Sequence, residues 1–243
     1  MDPAGKIALV TGSARRVGRA ILLALADAGA DVILHYHSSP EAEVEATLLQ
    51  VRRLGRRAVC FQADLSQRGE IERLFQQVRE AFGRVDILVN SAAVMEPGDV
   101  RELGERDWDR IMDTNLKAPF FCSQEAVRLM GPQGGVIVNI ADVAGLQAWA
   151  HYPVHSISKA GVLMLTQVLA KALGPAVRVN AVAPGPVAMP EAMGLVRWER
   201  VAHHLTLQHA GHPEDIGRAV LYLVREDFVT GTTLVVDGGA HIA

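Results

Sequence analysis

His155 and Lys159 stand four residues apart in a segment entered at Pro153, an interval that sets two side chains on one face of a helix. Asp142 lies just past the apolar run GVIVNI and opens the loop before that segment, while Asn115 sits within DTNLKAPF. Imidazole, ammonium, carboxylate and amide groups are those on which proton-transfer chemistry draws. From spacing alone, an ordinary surface helix preceded by a capping aspartate accounts for them as well. The two readings part on whether the four residues converge, which depends on the elements that carry them.

Those elements alternate. Short runs at 6–11, 31–35, 58–63, 86–90, 135–140, 177–182 and 233–236 read as strands, and several of them (KIALV, VDILVN, GVIVNI) are nearly all apolar, as parallel strands covered on both faces require. Between them lie segments of helical period, such as Val17, Ile21, Ala24, Leu25 and Ala28, closed by Gly29. Seven strands joined by crossover helices predict one α/β domain over residues 1–243, a doubly wound sheet with helices on both faces. Such sheets bind ligands beyond the carboxyl ends of their strands, so the loops after those ends are where the four polar residues would meet. A less regular helical stretch within about 187–211 interrupts the alternation and reads as a lid. Met189, Met193, Leu195, Val196, Trp198, Leu205 and Leu207 would give it an apolar wall, suited to a flat or lipophilic small-molecule substrate.

The first strand runs into Thr11-Gly12-Ser13-Ala14-Arg15-Arg16-Val17-Gly18 and then a helix. Glycine permits the tight turn and the close approach of a pyrophosphate, whose charge the helix N-terminus favours, so a dinucleotide site is expected here. A site for NAD needs a carboxylate at the end of the second strand, and this chain has His35, Tyr36, His37, Ser38 and Ser39. With Arg15 and Arg16 within reach of the same region, a 2′-phosphate is expected, hence NADP(H). Asp64 and Leu65, after the third strand, are placed for the adenine, although Asp64 also suits a helix cap.

Composition narrows the rest. The 243 residues carry 24 basic and 27 acidic side chains, a net charge of -3, so neither nucleic acid nor an anionic membrane is an expected partner. Only four of the basic residues are lysines, which makes Lys159 an uncommon choice. Two cysteines, Cys60 and Cys122, are too few for a disulfide framework and read as inert core residues of a cytoplasmic protein. His203, His204 and His209 have no cysteine or carboxylate at ligand spacing, so no metal site is expected.

In order and spacing, Thr11-Gly12 with Gly18, Asn90-Ser91-Ala92-Ala93, Asn115, Asp142, the helix ending its motif at Lys159, Asn180 with Pro184-Gly185, and Val236-Asp237-Gly238-Gly239 resemble the short-chain dehydrogenase/reductase family along the whole chain. Arg16, the run His35-Tyr36-His37 and Asp142 in place of the usual serine are similar to its pteridine reductase branch. The resemblance implies a Rossmann fold, hydride transfer from NADPH to C=O or C=N, a homotetramer, and cofactor contacts that include Asn90, Ser91, Ala92, Pro184 and Gly185. It implies proton donation at position 155, a lysine at 159 that tunes the donor and holds the nicotinamide ribose, and a water relay at Asn115, with Asp142 beside the acid. His155 stands where the family has tyrosine; Ala93 replaces a serine, and Met95 an aromatic residue of the pterin enzymes. An unperturbed imidazole titrates near about 6.5 and a phenol near about 10, so histidine can donate a proton at neutral pH. Tyr152 is the second candidate donor. A dinucleotide-binding protein without turnover and a reductase of 3-oxoacyl thioesters or ketones are the alternative functions.

Overall fold

The computed structural model describes residues 1–190 and 193–243. Glu191 and Ala192, part of the expected lid, lie outside the described residues. The chain runs β1 (Ile7–Val10), α1 (Arg16–Asp27), β2 (Asp31–Tyr36), α2 (Glu41–Arg53), β3 (Ala58–Gln62), α3 (Arg68–Phe82), β4 (Ile87–Asn90) and α4 (Glu105–Met112). It continues through α5 (Ala118–Met130), β5 (Gly135–Ile140), α6 (Pro153–Leu173), β6 (Val177–Pro184), α7 (Leu195–His204), α8 (Pro213–Arg225) and β7 (Thr233–Val236). All seven strands join one sheet in the order β3-β2-β1-β4-β5-β6-β7, each neighbouring pair parallel.

Period-two alternation divides the apolar runs between two faces. Ala8, Val10, Val32, Leu34, Ile87 and Val89 pack with α1, α2 and α8, whereas Ile7, Leu9, Ile33 and Leu88 pack with α3 and α5. Burying one such aliphatic side chain stabilises by roughly 1.5–3 kcal/mol, which is why strands of four residues hold their places at the sheet centre. The strand order reverses at β1 and β4, so the connections leaving their carboxyl ends diverge and open a crevice between them.

The strand ends deviate from the sequence reading for local reasons. Asp86 is excluded from β4 because its carboxylate accepts the Ile7 N–H at 2.8 Å and the Arg84 guanidinium at 3.1 Å. β6 runs two residues further than expected, to Pro184, which pairs with Val236 of β7. Cys122 is fully buried, and burial pushes its thiol up to about 12; Cys60 is only half-buried, a correction to its reading as core. No helix among the described residues is long and apolar enough to cross a membrane.

Two residues assigned to the cofactor belong to the core. Leu65 is buried with Ile71 and Leu74 of α3. Asn90 turns inward: its amide donates to Asn139 Oδ1 at 2.9 Å, and Asn139 in turn donates to Thr166 Oγ1 at 3.0 Å. Asn90 also donates to Ser123 Oγ at 3.2 Å, so one buried chain of polar groups ties β4 and β5 to α5 and α6. In the dry interior each group must find a partner or carry its desolvation cost, and the register Asn90↔Asn139 provides it. Asn139→Ala leaves the Asn90 amide and the Thr166 hydroxyl short of a partner. Urea unfolding should therefore show a loss of about 1–3 kcal/mol; an unchanged midpoint would contradict this account of the network.

Candidate active site

The glycine turn is built by close contact. Gly12 has φ +65°, and a Cβ there would lie 2.8 Å from Ala92 Cα; a Cβ on Gly18 would lie 2.2 Å from the Gly12 carbonyl oxygen. Thr11 Oγ1 accepts the N–H groups of Ser91 and Ala92 at 2.9 and 3.0 Å, which pins the end of β1 to the loop after β4. Val17 is half-buried against the core. At the N-terminus of α1, Arg15 holds the cap position with extended backbone, its side chain makes no capping hydrogen bond, and no acidic residue sits in the first turn. The open N–H groups and the helix dipole suit a pyrophosphate.

His35 was assigned to the cofactor, but the structure places it behind the turn. Its ring is buried, Nδ1 accepts the Gly12 N–H at 3.1 Å and Nε2 lies 3.0 Å from the Ala63 carbonyl, so the neutral ring with hydrogen on Nε2 satisfies both. Burial lowers its pKa from 6.5 to about 4, outweighing the opposing contribution of the Ala63 carbonyl. Tyr36 is half-buried and packs on the core, whereas His37 and Ser38 are exposed and Ser39 half-buried at the mouth of the crevice. Positions 36–40 carry no carboxylate. Asp64 Oδ1 accepts both the N–H and the hydroxyl of Ser66; burial works to raise its pKa, and these bonds hold it below the usual carboxylate range.

Arg16 requires a second correction. Its residue has φ +54°, and its guanidinium donates to the carbonyls of Met189 at 3.0 Å and Ala188 at 3.1 Å. The left-handed backbone turns this side chain towards the stem of the lid instead of the end of β2, where the 2′-phosphate was expected. Below that stem, Gly185 donates its N–H to Val236 at 3.0 Å, and a Cβ on it would lie 2.5 Å from Asp237, so Pro184-Gly185 lies tightly against the end of β7.

The four polar residues converge. Asn115 occupies a π-helical turn, Asp113–Lys117, between α4 and α5 rather than a regular helix. Its Oδ1 accepts the Val94 N–H at 2.8 Å, and its Nδ2 donates to the Val94 carbonyl at 2.8 Å and to Ser158 Oγ at 3.1 Å. Both amide hydrogens are thus committed, so His155 Nδ1, 3.4 Å from that nitrogen, finds its better partner in the Val94 carbonyl at 3.2 Å and carries the hydrogen there. His155 Nε2 is buried without a hydrogen-bond partner and lies 3.6 Å from Asp142 Oδ2, whose other oxygen accepts the Ala144 N–H at 2.8 Å. Asp142 reaches solvent with 22% of its side chain against 3% for His155. Lys159 donates to the Ile140 carbonyl at 2.8 Å; burial lowers its pKa to about 8, opposed by the Asp142 carboxylate.

Tyr152 stands at the N-cap of α6 with its ring 6.2 Å from that of Trp149, not in this cluster. Sequence reasoning missed Ser158, although its i,i+3 spacing from His155 signalled it, and the Val94 peptide group, for which no side-chain signal exists. Beyond the carboxyl ends of the strands lies a cleft of about 860 Å³ between α7, Gln147, Trp149, Pro186 and the last residues. Of the expected apolar wall, Val196 and Leu205 line it, while Leu195 and Leu207 are exposed elsewhere on the surface.

Comparison with known proteins gives a consistent result. Residues 12–241 match the family described as enoyl-(acyl carrier protein) reductase. The chain is 31% identical to 3-oxoacyl-(acyl-carrier-protein) reductase FabG of Staphylococcus epidermidis, across 98% of this chain and 99% of that one. It is 34% identical to 2-dehydro-3-deoxy-D-gluconate 5-dehydrogenase of Escherichia coli, across 97% and 95%. Among solved structures it is similar to FolM alternative dihydrofolate reductase 1 from Brucella canis complexed with NADP, at TM-score 0.94, 34% identity and 100% and 96% coverage. A blue fluorescent protein from a metagenomic library in complex with NADPH matches at TM-score 0.93 and 34% identity over the full length of both chains.

The His35 clamp makes stability depend on pH. Unfolded, the ring takes up a proton near 6.5; folded, it refuses one until about 4, so stability falls as pH drops through that interval and is level above it. Between pH 7.5 and 5 this group alone costs about 2 kcal/mol. Urea unfolding at both values should show wild type losing that much more than His35→Gln, and equal losses would refute the neutral clamp.

Proposed function

The chain belongs to the short-chain dehydrogenase/reductase family, and on that premise we propose that it is an NADPH-dependent reductase of a C=O or C=N bond in a pterin-like substrate, with His155 and Asp142 handling the proton together. The observation that carries the reading is the convergence of His155, Asp142, Asn115 and Lys159 at the carboxyl edge of the sheet, beside an uncapped helix N-terminus.

The residues fit the cofactor. The open first turn of α1 and the Gly12–Gly18 turn suit the pyrophosphate, and Lys159 suits the nicotinamide ribose. The absence of a carboxylate at positions 36–40 favours a 2′-phosphate, with Ser38, Ser39 and Arg15 as its expected partners in place of Arg16. Bound there, NADPH supplies the hydride. The chain's own part is the proton: Asn115 fixes the Val94 peptide, whose carbonyl holds the Nδ1 hydrogen of His155 and so leaves Nε2 as the atom that takes up and releases a proton. Nε2 faces Asp142 Oδ2, the side on which the buried ring meets a group that solvent reaches, so a proton drawn from solvent through this pair goes to the substrate's oxygen or nitrogen as the hydride adds to its carbon. The Lys159 charge, held two helical positions below Ile157 on the same helix as His155, opposes a second positive charge on the ring, while the Asp142 carboxylate favours one.

The likeness to the Brucella canis dihydrofolate reductase supports a pterin ring, together with Arg16, the His35-Tyr36-His37 run and Asp142. A second reading, reduction of a 3-oxoacyl thioester, is favoured by the curated relatives at 31–34% identity. A side-by-side assay of NADPH consumption at 340 nm with dihydrobiopterin, dihydrofolate and an acetoacetyl thioester separates them. His155→Phe and Asp142→Asn should each lower kcat at least about 100-fold, the range of general acid catalysis, with NADPH affinity intact. His155→Tyr should retain turnover. NADPH should bind at least about tenfold more tightly than NADH by fluorescence titration. Wild-type rates in His155→Phe, or a wild type inert towards every substrate, would overturn the assignment.

A homotetramer is part of the same reading, supported by Ile157, Met164 and Val168, which are exposed along α6, and by Phe120 on α5. Light scattering should give four times the 26.2 kDa chain mass, and a monomer would refute it.

A further inference from the structure

We propose that α7 reads an anionic tail on the substrate: Arg197 and Arg200 receive a carboxylate or phosphate at the far end of the cleft while its apolar wall holds the substrate's body. This deepens the preceding reading and rests on it for the reaction, with the cleft beyond the strand ends taken as the place of the substrate's body and tail.

The placement comes from helical spacing. Arg197, Arg200, Val201, His204 and the C-cap Leu205 follow the i, i+3, i+4, i+7, i+8 rule, so one face of α7 sets two guanidinium groups beside apolar side chains, and all five border the cleft. The facing wall is Trp149 and Pro186. Trp149 lies on the loop that begins at Asp142, and its N–H donates to Ser156 Oγ at 3.2 Å, which binds that loop to the helix bearing His155. Through Gln147 and Trp149 the cleft thus shares with Asp142 the loop that follows β5.

Among the described residues these two guanidinium groups have no ion-pair partner. Arg68, Arg73, Arg84, Arg101, Arg110, Arg128 and Arg218 all pair with carboxylates of their own surface. Among the described residues neither Arg197 nor Arg200 has such a partner, and no aspartate or glutamate side chain lines the cleft. Both are exposed at the cleft, and their planar heads offer paired donors, the geometry that carboxylate and phosphate accept in bidentate fashion. His204 lies on the same face, its Nδ1 donating to the Arg200 carbonyl at 2.6 Å.

The test compares substrates that share a reacting bond and differ in the tail: dihydrofolate against dihydrobiopterin for a carboxylate, and acetoacetyl-coenzyme A against acetoacetyl-N-acetylcysteamine for a phosphate. In at least one pair the anionic member should have a kcat/KM at least about tenfold higher, expressed mainly in KM and shrinking as salt rises from 50 to 500 mM. In the double variant Arg197→Ala, Arg200→Ala, kcat/KM for the anionic member should fall about tenfold further than for the neutral one, and Arg→Lys at both positions should recover part of it. Equal kcat/KM within every pair that turns over, or a preference that survives the double variant, overturns the proposal. If no substrate consumes NADPH, the reductase reading falls instead, and the inference is decided by quenching of Trp149 and Trp198 fluorescence: folate must bind at least about tenfold more tightly than biopterin in wild type and lose that margin in the double variant.

Discussion

Gly12 can sit against Ala92 only because neither residue brings bulk to the contact, and the geometry of the crevice follows from that approach. The Thr11 hydroxyl takes two N–H groups from the loop after β4, which closes the gap between the ends of β1 and β4 while the chain beyond each diverges. His35 braces the turn from behind by accepting the Gly12 N–H, and it does so only as a neutral ring. A strand end, a threonine, a glycine and a buried histidine thus hold the first turn of α1 open towards the crevice. Wider side chains at Gly12 or Gly18 would push the turn off the sheet before any ligand arrived.

The proton-handling cluster rests on a similar economy of polar groups. Burying an imidazole, an amide and an ammonium is costly unless each finds partners, and here the Val94 peptide and the Ile140 carbonyl serve as fixed acceptors and donors. The partners leave one atom unsatisfied, His155 Nε2, and turn it towards Asp142. An orphaned ring nitrogen in an otherwise satisfied network is the kind of local cost that persists where a group has to gain and lose a proton. A tyrosine here would carry its oxygen beyond the ring; the histidine side chain ends at the ring, and its Nε2 meets the Asp142 carboxylate at 3.6 Å.

The lid is tied to this machinery at its stem and faces the cleft with its helix. Arg16 holds the carbonyls of Ala188 and Met189, so the residue that looked like a phosphate ligand joins the glycine turn to the lid. Beyond that tie, α7 packs few residues into the core and has only Leu205 buried at its end, a disposition suited to an element that adapts to what enters. The glycine turn and the segment that leads to α7 are therefore joined, although they come from widely separated parts of the chain.

The strands, their parallel pairing and the convergence point were legible in the sequence, because apolar runs of four to six residues separated by helical periods admit few arrangements, and a glycine-rich turn after the first strand fixes which end binds a ligand. His155, Lys159, Asp142 and Asn115 were legible by type and spacing. The direction of individual side chains was not. Arg16 faces the lid because its backbone adopts a left-handed conformation that non-glycine residues rarely take. His35 shares a sheet face with Ile33, a fact the period of two contains, but a strand buried on both faces gives no polar contrast by which to read it. Asn90 looked like a cofactor contact until its register with Asn139 put two amides within reach of each other inside the sheet. Composition and periodicity determine which elements form and in what order they pack; which way a polar side chain turns is decided by partners that come from distant segments, and those exist only once the chain has folded.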